Sequence, residues 1–96
     1  MLKQITVQEL QQKMEKHEDF QLIDVREDIE YEQSNLGGKL IPLGRILTEA
    51  DQIAKDKPVI VMDRTGRRST AAIMQLEQQL DPKAVLKLAV LLRSAT

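Results

Sequence analysis

Apolar positions along this chain alternate between short continuous runs and stripes spaced three or four residues apart. Thr6-Val7-Gln8-Glu9 reads as a capping box, with Thr6 as N-cap and Glu9 reaching back to it. Val7, Leu10 and Met14 then mark one face of a helix that fades near residues 16–19. Residues 20–25 form an apolar run with the length of a buried strand. Residues 26–33 are charged around Ile29 and support a short helix at most. Gly37-Gly38 marks a turn, and residues 39–43 read as a further extended segment that Pro42 takes out of the sheet. The spacing of Ile46, Leu47, Ala50, Ile53 and Ala54 predicts a helix over 45–55. Val59-Ile60-Val61-Met62 is a second continuous run, and a helix is expected from about residue 69 to 79. Two readings of the C-terminus stay open. Asp81-Pro82 has the form of an N-cap with proline at the first helical position, which predicts a helix along Val85, Leu88, Ala89 and Leu92. A strand over 84–88 with a short helix over 89–94 is the alternative.

Strands that are apolar throughout and alternate with helices predict an α/β fold. The expected sheet is small and mainly parallel, with helices on both faces in three layers. Binding crevices in such sheets lie beyond the carboxyl ends of the strands. Asp24-Val25-Arg26 sits at one such end and Asp63 at another, so two charged clusters should meet on one edge. At 96 residues, with no internal repeat or linker, one domain over 1–96 is expected.

Fourteen basic and fifteen acidic residues nearly cancel, so no global field points to nucleic acid or an anionic membrane as partner. One phenylalanine, one tyrosine and no tryptophan make base stacking a poor prospect. The absence of cysteine excludes disulfides, thiolate metal sites and thiol nucleophiles. Neither a metal nor a cofactor is expected. The start lacks the apolar core of a signal peptide, and no run approaches membrane-spanning length, so the expected location is cytoplasmic.

The candidate chemistry lies in Asp63-Arg64-Thr65-Gly66-Arg67-Arg68-Ser69, between the strand at 59–62 and the following helix. Strand, tight loop and helix start together aim several backbone N–H groups at one point. Gly66 lets the backbone approach a bound group, and the N–H groups of residues 65–69 can converge on an anion. Arg64, Arg67 and Arg68 crowd the same loop. At its head stands Asp63, itself an anion. As an internal anion it fills the cup with its own carboxylate. As a nucleophile or general base it would serve hydrolysis of a phosphate ester, a reading implied by the loop's resemblance to that of cysteine-dependent phosphatases. Asp24, Arg26 and Glu27 read as structural ion pairs near the site. His17 lies in a polar helix end away from any catalytic partner.

Three pieces of the sequence, in order and at natural spacing, resemble the single-domain rhodaneses, the thiosulfate:cyanide sulfurtransferase-like modules, over about residues 5–88. Leu22-Ile23-Asp24-Val25-Arg26-Glu27, followed by Glu30-Tyr31-Glu32, resembles the family's strand end. Asn35-Leu36-Gly37-Gly38-Lys39-Leu40-Ile41-Pro42-Leu43 resembles its turn, with Asn35 where histidine is usual. Arg64-Thr65-Gly66-Arg67-Arg68-Ser69 resembles its active loop after the first residue, and Arg68 is then the arginine that closes the loop, with Arg64 and Arg67 on the rim. The resemblance puts the family's nucleophilic cysteine at position 63, which is Asp63 here, whether by nature or by engineered replacement. A carboxylate cannot form a persulfide. The usual Gly-Gly turn and tryptophan-bearing helix after the last strand are also missing, so the part beyond about residue 88 is atypical.

The resemblance therefore implies an inactive member of a sulfurtransferase family. Its role would be regulatory, through a small thiosulfate-, sulfate- or phosphate-like anion or a protein partner. The alternative is a transferase or phosphatase-like hydrolase working through Asp63.

Overall fold

The computed structural model describes residues 3–79 and the backbone of 88–92. Within them the chain runs β1 (Lys3–Thr6), α1 (Val7–Glu15), β2 (Gln21–Asp24), α2 (Asp28–Gln33), β3 (Lys39–Leu40), two 3-10 turns (Leu43–Arg45 and Ala50–Gln52), β4 (Val59–Met62), α3 (Arg67–Gln79) and β5 (Leu88–Leu92). The strands form one sheet in the order β1-β5-β4-β2-β3, and every pairing is parallel.

β4 shows how the sheet is covered. Alternate residues of a strand point to opposite faces. Val59 and Val61 join Ile23, Ala72, Ile73 and Leu76, so α3 packs on that face. Ile60 and Met62 join Ile5 and Leu10, with Leu22 and Phe20 beside them, so α1 packs on the other. The register agrees, since Leu22 lies opposite Ile60 and Ile23 opposite Val61. All four residues of β4 are buried, which explains why it reads as an unbroken apolar run. The α/β sandwich expected from the sequence is present.

Some elements differ from the sequence reading. β1 escapes it because Ile5 is buried between exposed Gln4 and Thr6, a single apolar position that is too little for a two-residue period to show. Thr6 ends β1 and also caps α1, its Oγ1 accepting the Glu9 N–H at 3.1 Å while Glu9 Oε1 accepts the Thr6 N–H at 3.2 Å. The helix expected over 45–55 is replaced by two tight turns. Ile46 and Ile53 still reach the core from them, but Leu47, placed on the apolar side, is 43% exposed. Two anchors seven residues apart satisfy a helical spacing without a helix between them. At the C-terminus both readings give way to a strand at Leu88–Leu92, paired with β1 on one side and β4 on the other. Two flanking ladders override local helix propensity. Asp81-Pro82 lies outside the described residues.

Beyond the strand ends the backbone stays knitted together. The Val25 N–H donates to Met62 O at 3.1 Å, Ile41 N–H to Asp24 O at 2.9 Å and Leu43 N–H to Val25 O at 3.1 Å. This brings the segments after β2, β3 and β4 to one edge.

Candidate functional site

Asp63 follows the last residue of β4 and is 4% exposed. Its Oδ1 accepts the Gly66 N–H at 2.7 Å and the Ser69 Oγ–H at 2.8 Å, and its Oδ2 accepts the Arg68 N–H at 2.8 Å. The amide cup expected in this loop exists, and Asp63 is the anion inside it. Gly66 makes the geometry possible: its φ of 89° is in the left-handed region, which costs other residues steric energy. The carboxylate also explains why α3 begins at Arg67 rather than near residue 69. It satisfies N–H groups at the helix start that would otherwise lack partners, and it lies at the positive end of the helix dipole.

The three arginines separate. Arg68, expected to close the loop, gives its backbone N–H to Asp63 while its side chain turns to α2, where Nη1 and Nη2 meet Glu30 Oε1 and Oε2 at 2.6 and 2.9 Å. Its Nε stays 3.8 Å from Asp63 Oδ2. The Arg68 guanidinium, together with the Glu27 backbone N–H, pulls the Glu30 carboxyl down to about 2. Glu30 in turn raises Arg68 above its ordinary value. Arg64 and Thr65 are exposed, as is Arg67. Neither the Arg64 nor the Arg67 side chain has a hydrogen-bond or ion-pair partner among the described residues.

Asp24 and Arg26 pair as expected. Arg26 Nε lies 3.0 Å from Asp24 Oδ1, and Nη2 lies 2.9 Å from Oδ2. The hydrogen bond to Asp24 raises Arg26 further. The pair does not clamp two strands, since both residues belong to the end of β2. Instead Arg26 Nη2 donates to Ser34 O at 2.6 Å and ties down the segment after α2. Glu27 takes no part in the pair. It is the N-cap of α2, and its backbone N–H donates to Glu30 Oε1 at 3.1 Å. Glu30 was read only as part of a motif, because its partner lies 38 residues away. Asn35 Nδ2 donates to Tyr31 O at 3.0 Å and its Oδ1 accepts the Gly37 N–H at 2.9 Å, so it ties the turn. His17 is exposed and has a φ of 55°, at the end of α1.

A cleft of about 320 Å³ opens at this edge, lined by Val7, Arg26, Glu30, Gln33, Ser34, Leu36, Met62, Asp63 and Arg64. The two charged clusters therefore share one cavity. No helix among the described residues is long and apolar enough to cross a membrane.

Comparison with known proteins agrees with this architecture. The Bacillus subtilis (strain 168) protein YrkF, provisionally named a sulfur carrier protein, is 30% identical over 77 residues, covering 79% of this chain and 42% of YrkF. YtwF of the same organism, provisionally named a sulfurtransferase, is 33% identical over 79 residues, covering 81% of this chain and 77% of YtwF. The chain thus spans well under half of the first relative and about three quarters of the second. A rhodanese-like domain protein from Staphylococcus aureus superposes with a TM-score of 0.76 over 97% of this chain and 85% of that one, at 24% identity, which shows a shared fold. The family model of the rhodanese-like domain matches residues 6–90. The all-parallel sheet, the loop wrapped on the α3 N-terminus and this match together place the chain in the rhodanese-like domain family, among sulfurtransferase-type proteins.

Proposed function

We propose that this chain is a rhodanese-like domain that does not carry sulfur and serves as a binding module for a protein partner. The observation that carries the reading is the Asp63 carboxylate, buried and held by Gly66, Arg68 and Ser69. Asp63 stands where the family resemblance places the persulfide-forming cysteine, and the chain has no other cysteine to take that part. The relatives' names point to sulfur carriage and transfer, and carriage as a persulfide needs a thiolate. The donors that would receive an external thiosulfate, sulfate or phosphate already hold Asp63, so the anion of this loop is its own. The same engagement opposes hydrolysis through Asp63. Both of its oxygens are tied to donors, and the neighbouring acid, Glu30, is bound to Arg68.

Thiosulfate-to-cyanide transfer and aryl phosphate hydrolysis, measured for the chain and for Asp63→Cys, test the reading. No turnover by the chain and sulfur transfer by Asp63→Cys are expected. Turnover of either substrate by the unsubstituted chain overturns it. An inert Asp63→Cys leaves the inactive reading standing and shows that more than the nucleophile has been lost.

A further inference from the structure

The ionic groups around the cleft are almost all spent on one another. Arg26 is committed to Asp24 and Ser34 O, and both Glu30 oxygens to Arg68. The Asp63 oxygens are committed to the loop. Arg64 is the exception among the described residues. It lines the cleft, is exposed, and its guanidinium has no partner. Gln33 and Ser34, also exposed on the lining, add side-chain polar groups with no partner among the described residues. The rest of the wall is apolar: Val7, buried Met62 and exposed Leu36.

Leu36 is 43% exposed, yet it sits on an organised turn. Asn35 fixes that turn from both sides, to Tyr31 O and from the Gly37 N–H, and Gly37 takes a φ of 84°. A large apolar side chain on a tied turn and a guanidinium without a partner among the described residues thus line one cleft, and only the first of the two contacts is held in place. The ligand that satisfies both has an apolar body with a carboxylate close to it. At about 320 Å³ the cavity is near the lower limit for a ligand pocket, suited to one residue and not to a chain passing through. One residue with both features is the last residue of a polypeptide, when its side chain is apolar.

Resting on the reading that this domain binds a partner protein, we propose that the cleft captures a partner's C-terminal apolar residue. The carboxylate would pair with Arg64 and the side chain would pack on Leu36, Val7 and Met62. Arg64 as a bidentate donor and a free α-carboxylate as acceptor make the stronger, charge-assisted type of hydrogen bond.

The test is an amide-shift titration of the chain with N-acetylglycyl-leucine, with its C-terminal amide, and with 4-methylpentanoate. Saturating shifts at Val7, Ser34, Leu36 and Arg64 are expected with the free-acid peptide. Binding should be about tenfold weaker for the amide and for Arg64→Gln, the ratio set by one charge-assisted contact. Arg67→Gln, in the same loop but off the cleft lining, should bind as the parent does, and Leu36→Ser should weaken binding. Equal binding of acid and amide, no shifts at the cleft with any probe, or shifts elsewhere overturn the proposal. Binding of 4-methylpentanoate as tight as the peptide overturns the partner-chain part in favour of a small acid. Sulfur transfer by the unsubstituted chain would instead sink the inactive reading, and the titration reports on the cleft independently of that assay.

Discussion

Arg68 and Glu30 meet beside the cleft in a two-pronged ion pair, at 2.6 and 2.9 Å, joining the first turn of α3 to α2. Because the pair holds Glu30 at about 2 in the folded chain, below its ordinary 4.5, it stabilises the fold fully only above the unfolded value. That contribution should fade as pH falls from about 4.5 toward 2. A double-mutant cycle of Glu30→Gln and Arg68→Gln, followed by chemical unfolding, should give a coupling of ~0.5–1 kcal/mol at neutral pH, as for part-exposed pairs. The coupling should shrink to a small remainder near pH 2 and be lost below it. A coupling unchanged across that range would show that the pair does not hold α2.

Removing the internal anion should be costly. Asp63→Ala leaves buried donors of Gly66, Arg68 and Ser69 without an acceptor, a loss of ~2–4 kcal/mol in urea unfolding. Asp63→Asn should lose less, since it keeps one acceptor but turns an amide donor toward the other contact. Acetate should restore part of the stability of Asp63→Ala beyond chloride at equal ionic strength, because it supplies the missing carboxylate. Equal melting temperatures in the two salts would mean that the cup collapses once emptied.

Gly66 carries the turn that aims the loop amides. Gly66→Ala should destabilise by ~1–2 kcal/mol through the left-handed φ of 89°. Thermal unfolding measures it. Loss of chemical-shift dispersion confined to residues 63–69 would locate the damage in the cup.

Gly38 and Tyr31 hold the floor of the turn that presents Leu36. A Cβ on Gly38 would sit 2.9 Å from Leu22 Cγ and 3.1 Å from Leu22 O, and the backbone atom cannot easily give way. Gly38→Ala should therefore cost ~1–3 kcal/mol. Tyr31→Phe removes the 2.6 Å bond from the phenol to Gly38 O and should cost ~0.5–1.5 kcal/mol. A Gly38→Ala variant as stable as the parent would show that β3 shifts freely.

Local pattern alone determined the α/β class, β2, β4, α1 with its Thr6–Glu9 cap, and the strand-to-helix loop with Asp63 at its head. Each of these signals is contained in a few consecutive residues: an apolar run, a capping spacing, a glycine before a helix. Only the tertiary structure decided the rest. β1 and β5 exist because they complete one another's ladders, which no local spacing reports. Residues 45–55 are fastened at Ile46 and Ile53, so packing replaced the helix that their spacing suggested. Arg68 and Glu30 found each other over 38 residues of chain, leaving Arg64 as the unpaired charge of the cleft among the described residues. The sequence had already placed an acid in a basic loop. That the acid is the loop's own ligand, buried rather than facing solvent, depends on three donors that only the folded turn brings within bonding distance.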